Sequence, residues 1–155
     1  MPHKNTFGTN EMCELKFNSA ILARDLSKYG VVPNKFDTCY LPNIDKSLLK
    51  HFIRGFFDGD GSVYQSGFYS DGKNKVRVSF SKNKIILNQI LKHLRENIPD
   101  FSSKISVIPA GSNKNSSILQ IGGKKDVSSF YDFLYKDSSV YLDRKYNKFT
   151  SLLSQ

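Results

Sequence analysis

The ten residues from Ile53 to Ser62 read Ile-Arg-Gly-Phe-Phe-Asp-Gly-Asp-Gly-Ser, and they close an apolar run that restricts what the surrounding chain can form. Leu48, Leu49, Phe52, Ile53, Phe56 and Phe57 recur at helical spacing behind Asp45, a residue suited to cap a helix start, so a helix is expected from there to the glycines. Gly55 and Gly59 stand one helical repeat apart and share a face, which removes side chains along a line where a second helix backbone can approach. Asp60 falls at the C-terminal end of that helix, where the macrodipole disfavours an anion. A carboxylate placed there calls for a cation, and a hard divalent ion with oxygen ligands suits it. The plainer alternative is a Gly-Asp turn that simply ends a helix. An EF-hand loop is the poorer fit, since its series of oxygen ligands is not completed.

Beyond the glycines the chain takes on an alternating pattern. Residues 62–69 and 75–81 form an expected hairpin around Ser70-Asp71-Gly72-Lys73-Asn74, with Val76, Val78 and Phe80 on one face and Arg77, Ser79 and Ser81 on the other. A helix from about Asn83 carries Ile86, Ile90, Leu91 and Leu94, and Pro99 lies beyond its end. A second hairpin is expected to pair 104–108 with 117–121 across a turn at 109–115, and helices are expected over 126–135 and 142–153. The order helix, hairpin, helix, hairpin, helix predicts an α+β fold with a four-stranded antiparallel sheet.

Ahead of this lie a polar arm over residues 1–12, a short strand over 14–19, and a helix capped by Ser19 that turns Ile21, Leu22 and Leu26 inward and stops at Gly30. A weak internal repeat links Leu15-Lys16-Phe17, this helix and Gly30-Val31-Val32-Pro33-Asn34-Lys35 to Leu119-Gln120-Ile121, a helix and Val140-Tyr141-Leu142-Asp143-Arg144-Lys145. Residues 13–40 thus read as the tail of a preceding repeat. The expected division is an N-terminal arm and partial repeat over 1–44 and a main domain over 45–155.

The segment from Ile53 to Ser62 resembles the motif that names the LAGLIDADG homing endonucleases, with both acidic residues, both flanking glycines and the following Ser-Val in register. Arg54 departs from the usual small residue and is expected on the solvent side of the helix. The resemblance covers 45–153 by element order, and reaches back weakly to 13. It implies that two such helices pack side by side, each bringing one acidic residue to the cleavage site, where metal ions activate water and stabilise the leaving oxygen. On that basis Asp60 matches the metal position, the Gly59 carbonyl is a second candidate ligand, and Mg²⁺ is the expected cofactor. Asp58 is expected to support the helix ends at the helix interface with Gly55 and Gly59. Lys145 matches the basic residue that stabilises charge on phosphate, with Lys35 its counterpart in the partial repeat. The water-positioning polar residue falls at Lys82 or Asn83, of which Asn83 serves equally well as a helix cap.

A twisted antiparallel sheet can lie along the major groove of DNA. Tyr64 and Ser66 are expected on the polar face with Arg77, Ser79 and Ser81, and Lys73, Lys75, Lys104, Lys114 and Gln120 sit at hairpin tips or on strands that could reach DNA. The excess of 23 Lys and Arg over 14 Asp and Glu gives a net charge of +9, which favours a polyanionic partner. Cys13 and Cys39 have no metal-ligand spacing and suit a reducing, intracellular setting; no apolar run approaches a membrane span. The expected function is Mg²⁺-dependent, site-specific cleavage of double-stranded DNA, by a homodimer or with a complementary LAGLIDADG half. A noncatalytic DNA-binding regulator or RNA maturase is the alternative.

Overall fold

The computed structural model describes residues 3–7, 10–14, 16–33, 39–111 and 113–154. The chain divides into two compact units, residues 1–33 and 34–155. No helix among the described residues is long and apolar enough to cross a membrane.

In the first unit, β1 (His3–Phe7) pairs antiparallel with β2 (Asn10–Glu14), where the sequence suggested a polar arm. The strand expected over 14–19 does not form; Glu14 ends β2, and 16–19 carry no regular structure. Helix α1 (Ala20–Ser27) begins as expected, with the Ser19 hydroxyl accepting the Leu22 amide at 3.2 Å. Its apolar residues are not turned into a core: Ile21 is 64%, Leu22 41% and Leu26 39% exposed.

The second unit has the expected order of elements. Helix α2 (Lys46–Asp60) starts at Asp45, whose carboxylate accepts the Ser47 amide at 2.8 Å. It ends where the Gly61 amide donates to the Phe57 carbonyl at 2.8 Å. Gly61 is required there: a Cβ on it would lie 2.2 Å from the Phe57 ring. Strands β3 (Ser62–Phe68) and β4 (Asn74–Lys82), helix α3 (Lys84–Asn97), strands β5 (Val107–Ala110) and β6 (Asn113–Gly122), and helices α4 (Lys124–Tyr135) and α5 (Asp143–Leu153) complete it.

The four strands form one antiparallel sheet in the order β3-β4-β6-β5. The second hairpin is tighter than expected. Strand β5 starts at Val107, not at 104, and runs through Pro109 to Ala110, while Gly111 takes the turn with φ of +53°. Pro109 is tolerated because β5 is an edge strand, where a missing amide costs no ladder bond on the open side. The register shifts between Pro109 and Ala110, as at a bulge.

Alternation decides the two faces of the sheet. Val63, Val76, Val78, Phe80, Leu119 and Ile121 are buried beneath the helices, while Ser62, Tyr64, Arg77, Ser79 and Gln120 lie on the opposite face, in register across the strands. The core centres on aromatic rings. Phe57 from α2 meets Phe80 at 5.5 Å and Phe130 at 5.5 Å, and Phe80 meets Phe130 at 5.8 Å, two of these contacts edge to face. Phe57 is wholly buried and touches a strand, α4 and α5 at once. Replacing Phe57 by Ala is therefore expected to lower stability by about 3–5 kcal/mol, read from equilibrium urea unfolding; a loss below about 1 kcal/mol would show that the rings around it do not form one packed cluster.

Candidate active site and nucleic-acid face

The antiparallel β3–β4 hairpin returns the chain to the end of α2. With Ser62 opposite Ser79, the last residues of β4 fall beside the residues that precede β3. Lys82 consequently reaches Asp60, its ammonium 2.9 Å from the carboxylate, and lies over the Phe56 ring at 5.8 Å. The pairing has a clear electrostatic cause, since an anion in the last turn of a helix faces uncompensated carbonyls and gains from an adjacent cation. The Asp60 side chain remains 51% exposed against 19% for Lys82, so the acid is the solvent-facing partner. Of the two candidates Lys82 and Asn83, Lys82 is at the acid. Asn83 is buried, its carbonyl oxygen accepting the Ile86 amide at 3.0 Å and its amide donating to the Cys39 carbonyl at 2.9 Å. The hairpin register is the signal that separates them.

Three residues depart from expectation, all for the same reason: α2 is packed against α4 and α5 over more of its circumference than its apolar stripe suggests. Arg54, expected in solvent, is 8% exposed and donates to the Leu134 carbonyl at 3.3 Å. Asp58, expected with the glycines at a helix interface, turns inward and accepts the Tyr135 hydroxyl at 2.6 Å and the Leu142 amide at 3.0 Å. Lys145, expected to face phosphate, is 6% exposed. Its ammonium donates to the carbonyl of Phe57 at 2.6 Å and to that of Gly61, and it lies 5.0 Å from the Phe57 ring centre. Burial pushes the Lys145 pKa down, with neighbouring Arg144 adding to the effect and Asp58 and Asp60 opposing it. Lys145 thus closes the C-terminal turn of α2 by adding a second donor to the Phe57 carbonyl, which already accepts the Gly61 amide, and by donating to the carbonyl of the capping residue Gly61.

The remaining face of α2 is open. A Cβ at Gly55 or Gly59 would meet nothing within 4 Å. Beside them, His51, Phe52, Gly55 and Phe56 line a mainly apolar groove that ends at Asp60 and Lys82. Phe52 and Phe56 stack at 6.3 Å along it, and Leu48, farther back on the helix, is 50% exposed. Glycines flush with an apolar groove are the surface that lets another helix come close.

Oxygen donors for a hard cation are present here. Asp60 offers a carboxylate, and the Gly59 carbonyl belongs to the last helical turn, whose carbonyls lack intrahelical partners. No three His, Cys, Asp or Glu side chains cluster among the described residues. One carboxylate nevertheless suits Mg²⁺, which binds through one or two carboxylates, phosphate oxygens and water.

On the open face of the sheet, Tyr64, Gln120 and Arg77 are joined. The Arg77 guanidinium donates to the Gln120 side-chain oxygen at 2.6 Å, and the Gln120 amide donates to the Tyr64 hydroxyl at 2.6 Å. Ser79 lies between them in the register, opposite both Ser62 and Gln120. Ser81 sits 3.2 Å from the Ser116 hydroxyl, and the Ser66 hydroxyl donates to the Lys75 carbonyl at 3.0 Å. Lys73 is exposed at the hairpin tip with Asp71, and Lys75 stands over the Tyr69 ring at 5.4 Å. Lys104 is exposed in the loop between α3 and β5 and belongs to no strand. Lys114 lies on β6 with its side chain outside the described residues, as is Lys35 altogether.

With the fold and this geometry in view, the chain belongs to the LAGLIDADG family: the profile of the LAGLIDADG-like domain matches residues 47–134, more than half of its length. Among solved structures it is similar to the homing endonuclease I-TnaI, with 18% identity, 68% of this chain and 71% of that chain covered, and a TM-score of 0.50. It is also similar to the archaeal intron-encoded homing endonuclease I-Vdi141I bound to DNA, with 17% identity, 71% and 69% coverage and a TM-score of 0.51. A third is I-CvuI with its target in the presence of calcium, at 19% identity, 70% and 66% coverage and a TM-score of 0.51. At these identities the likeness establishes the α+β fold with its four-stranded antiparallel sheet. Comparison with curated proteins yields no significant match.

The Asp58–Tyr135 contact has a pH signature. Burial, then the hydrogen bond to Asp58, pushes the Tyr135 phenol far above its ordinary range. A native value above the unfolded one gives a stability contribution that is whole below about pH 10 and lost as pH rises further, because the unfolded chain ionises first. Unfolding free energy should therefore fall with pH above about 10, and Tyr135→Phe should flatten that fall while costing about 1–3 kcal/mol at neutral pH by removing one of two donors to Asp58. Urea unfolding across this range checks it; an unchanged alkaline slope in the variant would disprove the linkage.

Proposed function

We propose that this protein cleaves duplex DNA at a specific site by Mg²⁺-dependent phosphodiester hydrolysis, and that it does so only after a second LAGLIDADG helix packs along its Gly55–Gly59 face. The observation that carries the reading is the place of Asp60: an exposed carboxylate at the end of an apolar groove that glycines leave open for a helix. A helix of the same kind in that groove brings a second carboxylate beside the first, as two opposed phosphates require. Asp60 and the Gly59 carbonyl would hold the metal. Bound there, Mg²⁺ would supply the Lewis acidity that activates water and stabilises the leaving oxygen. Lys82, bonded to Asp60 in this structure, is the nearest ammonium for a phosphate that approaches the acid.

The open sheet face supplies recognition in this reading. Arg77, Gln120, Tyr64 and Ser79 are spaced across adjacent strands where base edges of a major groove could be met, with Ser66, Ser81, Lys73 and Lys75 around them. The net charge of +9 draws the duplex toward that face. The relatives I-Vdi141I and I-CvuI, both captured on DNA, support it by analogy of fold.

Two assemblies satisfy the requirement for a second helix: a homodimer, or union with a complementary LAGLIDADG half. The exposed apolar residues of α1, with Ile21 64% and Leu22 41% exposed, favour the second, since a complementary half would bring a sheet to cover them. A noncatalytic nucleic-acid binder is the rival, favoured by the Lys82–Asp60 ion pair, which already neutralises the acid from within the chain.

Asp60→Asn is expected to abolish Mg²⁺-dependent cutting of a mapped site while affinity for that duplex stays within about threefold, since phosphate and base contacts hold the DNA. Cutting at the wild-type rate would exclude Asp60 as the metal ligand. A wild-type protein that binds its site and never cuts it, alone or with a complementary half, would establish the noncatalytic binder.

Gly55→Leu should turn the assembled species into a folded, inactive monomer that keeps weak DNA binding, because a bulky side chain blocks the groove. Sedimentation of the wild type alone and mixed with a complementary half separates the assemblies: self-association supports the homodimer, and a shift only on mixing supports the heteromer. A variant that assembles as the wild type does would place the interface elsewhere.

A further inference from the structure

The residue immediately after Asp60 opens a second feature. Gly61, Ser62 and Val63, at the α2–β3 junction, form a shallow depression with Arg144, Lys145 and Lys148 of α5. Arg144 and Lys148 are one helical repeat apart and share a face of α5. Both are exposed, and among the described residues neither forms an ion pair. Lys145 sits between them in sequence but points the other way, buried and donating to two carbonyls.

We propose that Arg144 and Lys148 form a clamp for a backbone phosphate of duplex DNA next to the Asp60 site, with Lys145 as the buried strut that fixes the depression under them. The inference rests on the DNA-cleaving function proposed for the Asp60 site. Three cations gathered at one spot repel each other, and after burial it is Arg144 that most depresses the Lys145 ammonium, with Lys148 acting in the same sense. An anion seated between Arg144 and Lys148 relieves that repulsion. A phosphodiester is the fitting anion, because the depression is open to solvent, begins one residue from the metal-binding acid, and presents a fork-shaped guanidinium suited to paired phosphate oxygens. The electrostatic duty that family resemblance assigns to Lys145 thus falls to its exposed neighbours, since Lys145 is buried and commits two of its three donors to the end of α2.

The experiment measures affinity of the full chain for a fluorescent duplex of about 40 base pairs across a KCl series. Each phosphate contact contributes about 0.9 to the slope of log affinity against log salt, so the double variant Arg144→Ala, Lys148→Ala, which removes one clamped phosphate, should lower the magnitude of that slope by about 0.9. Its thermal midpoint should be no lower than that of the wild type, because both side chains are exposed and their removal relieves repulsion on Lys145. A double variant of Lys92 and Lys136, exposed lysines on and after other helices, removes the same charge and should leave the slope unchanged. Lys145→Met should lower the thermal midpoint, as expected of a strut. An unchanged slope in the Arg144/Lys148 variant, or an equal drop in the Lys92/Lys136 variant, overturns the clamp while leaving the DNA-binding reading intact. A wild type whose binding is flat with salt overturns both.

Discussion

The last turn of α2 is held by a single node of hydrogen bonds. The Phe57 carbonyl receives both the Gly61 amide and the Lys145 ammonium, and the same ammonium takes the Gly61 carbonyl. Because Gly61 carries no side chain, the chain can pass directly over the Phe57 ring and enter β3 without an intervening loop. Everything that could act on a substrate is set from this point. Asp60 is fixed one residue before it, the open sheet face begins one residue after it, and α5 is tied beneath it. A buried lysine is costly to desolvate, and the carbonyls of a helix terminus are the partial negative charge that offsets the cost. Burial is the largest cause of the lowered Lys145 pKa, with the Arg144 guanidinium next.

The two acids of the motif show how one helix separates structural from chemical work. Asp58 and Asp60 are two residues apart, which on a helix places them on nearly opposite sides. Asp58 faces inward and ties α2 to the end of α4 and the approach to α5 through Tyr135 and Leu142. Asp60 faces outward and pairs with Lys82. The inward acid has its acceptors filled and little scope for a ligand. The outward acid keeps half its surface.

Much of this is legible in the sequence because the patterns report local physics. The α2 stripe, the Asn83 cap, the alternation of β4 and the order of elements in the second unit come from periodicity and turn residues, and they give the four-stranded sheet. Position in the chain singles out Lys145 but does not foretell its burial, because nothing in Arg144-Lys145-Tyr146 tells which of two adjacent cations points inward. Arg54 misleads similarly: a guanidinium within an apolar stripe can reach a buried carbonyl through its long stem, as it does at Leu134. Lys82 does not stand out as the partner of Asp60 in the linear sequence, although counting along the hairpin from Ser79 places it there. The strand expected at 104 fails because Pro109 and Ala110 read as turn residues, yet an edge strand accepts them.

Helix α1 marks the limit of what periodicity can report. Like α4 it carries an apolar stripe compatible with a helix, and the two lie at corresponding places in the internal repeat. In α4, Val127, Phe130 and Leu134 are at most 1% exposed, and the helix packs beside strands that bury an aromatic and aliphatic face. In α1, Ile21, Leu22 and Leu26 form an apolar stripe of their own and stay exposed. An amphipathic stripe encodes a capacity for burial, and the free energy of that burial, about 25 cal/mol per Å² of apolar surface, is realised only against a second surface. For α4 that surface is encoded upstream in β4 and β6. The same sequence signal therefore describes a core helix in one place and an exposed helix in another, and the difference lies in the sheet, which no property of the helix itself could reveal.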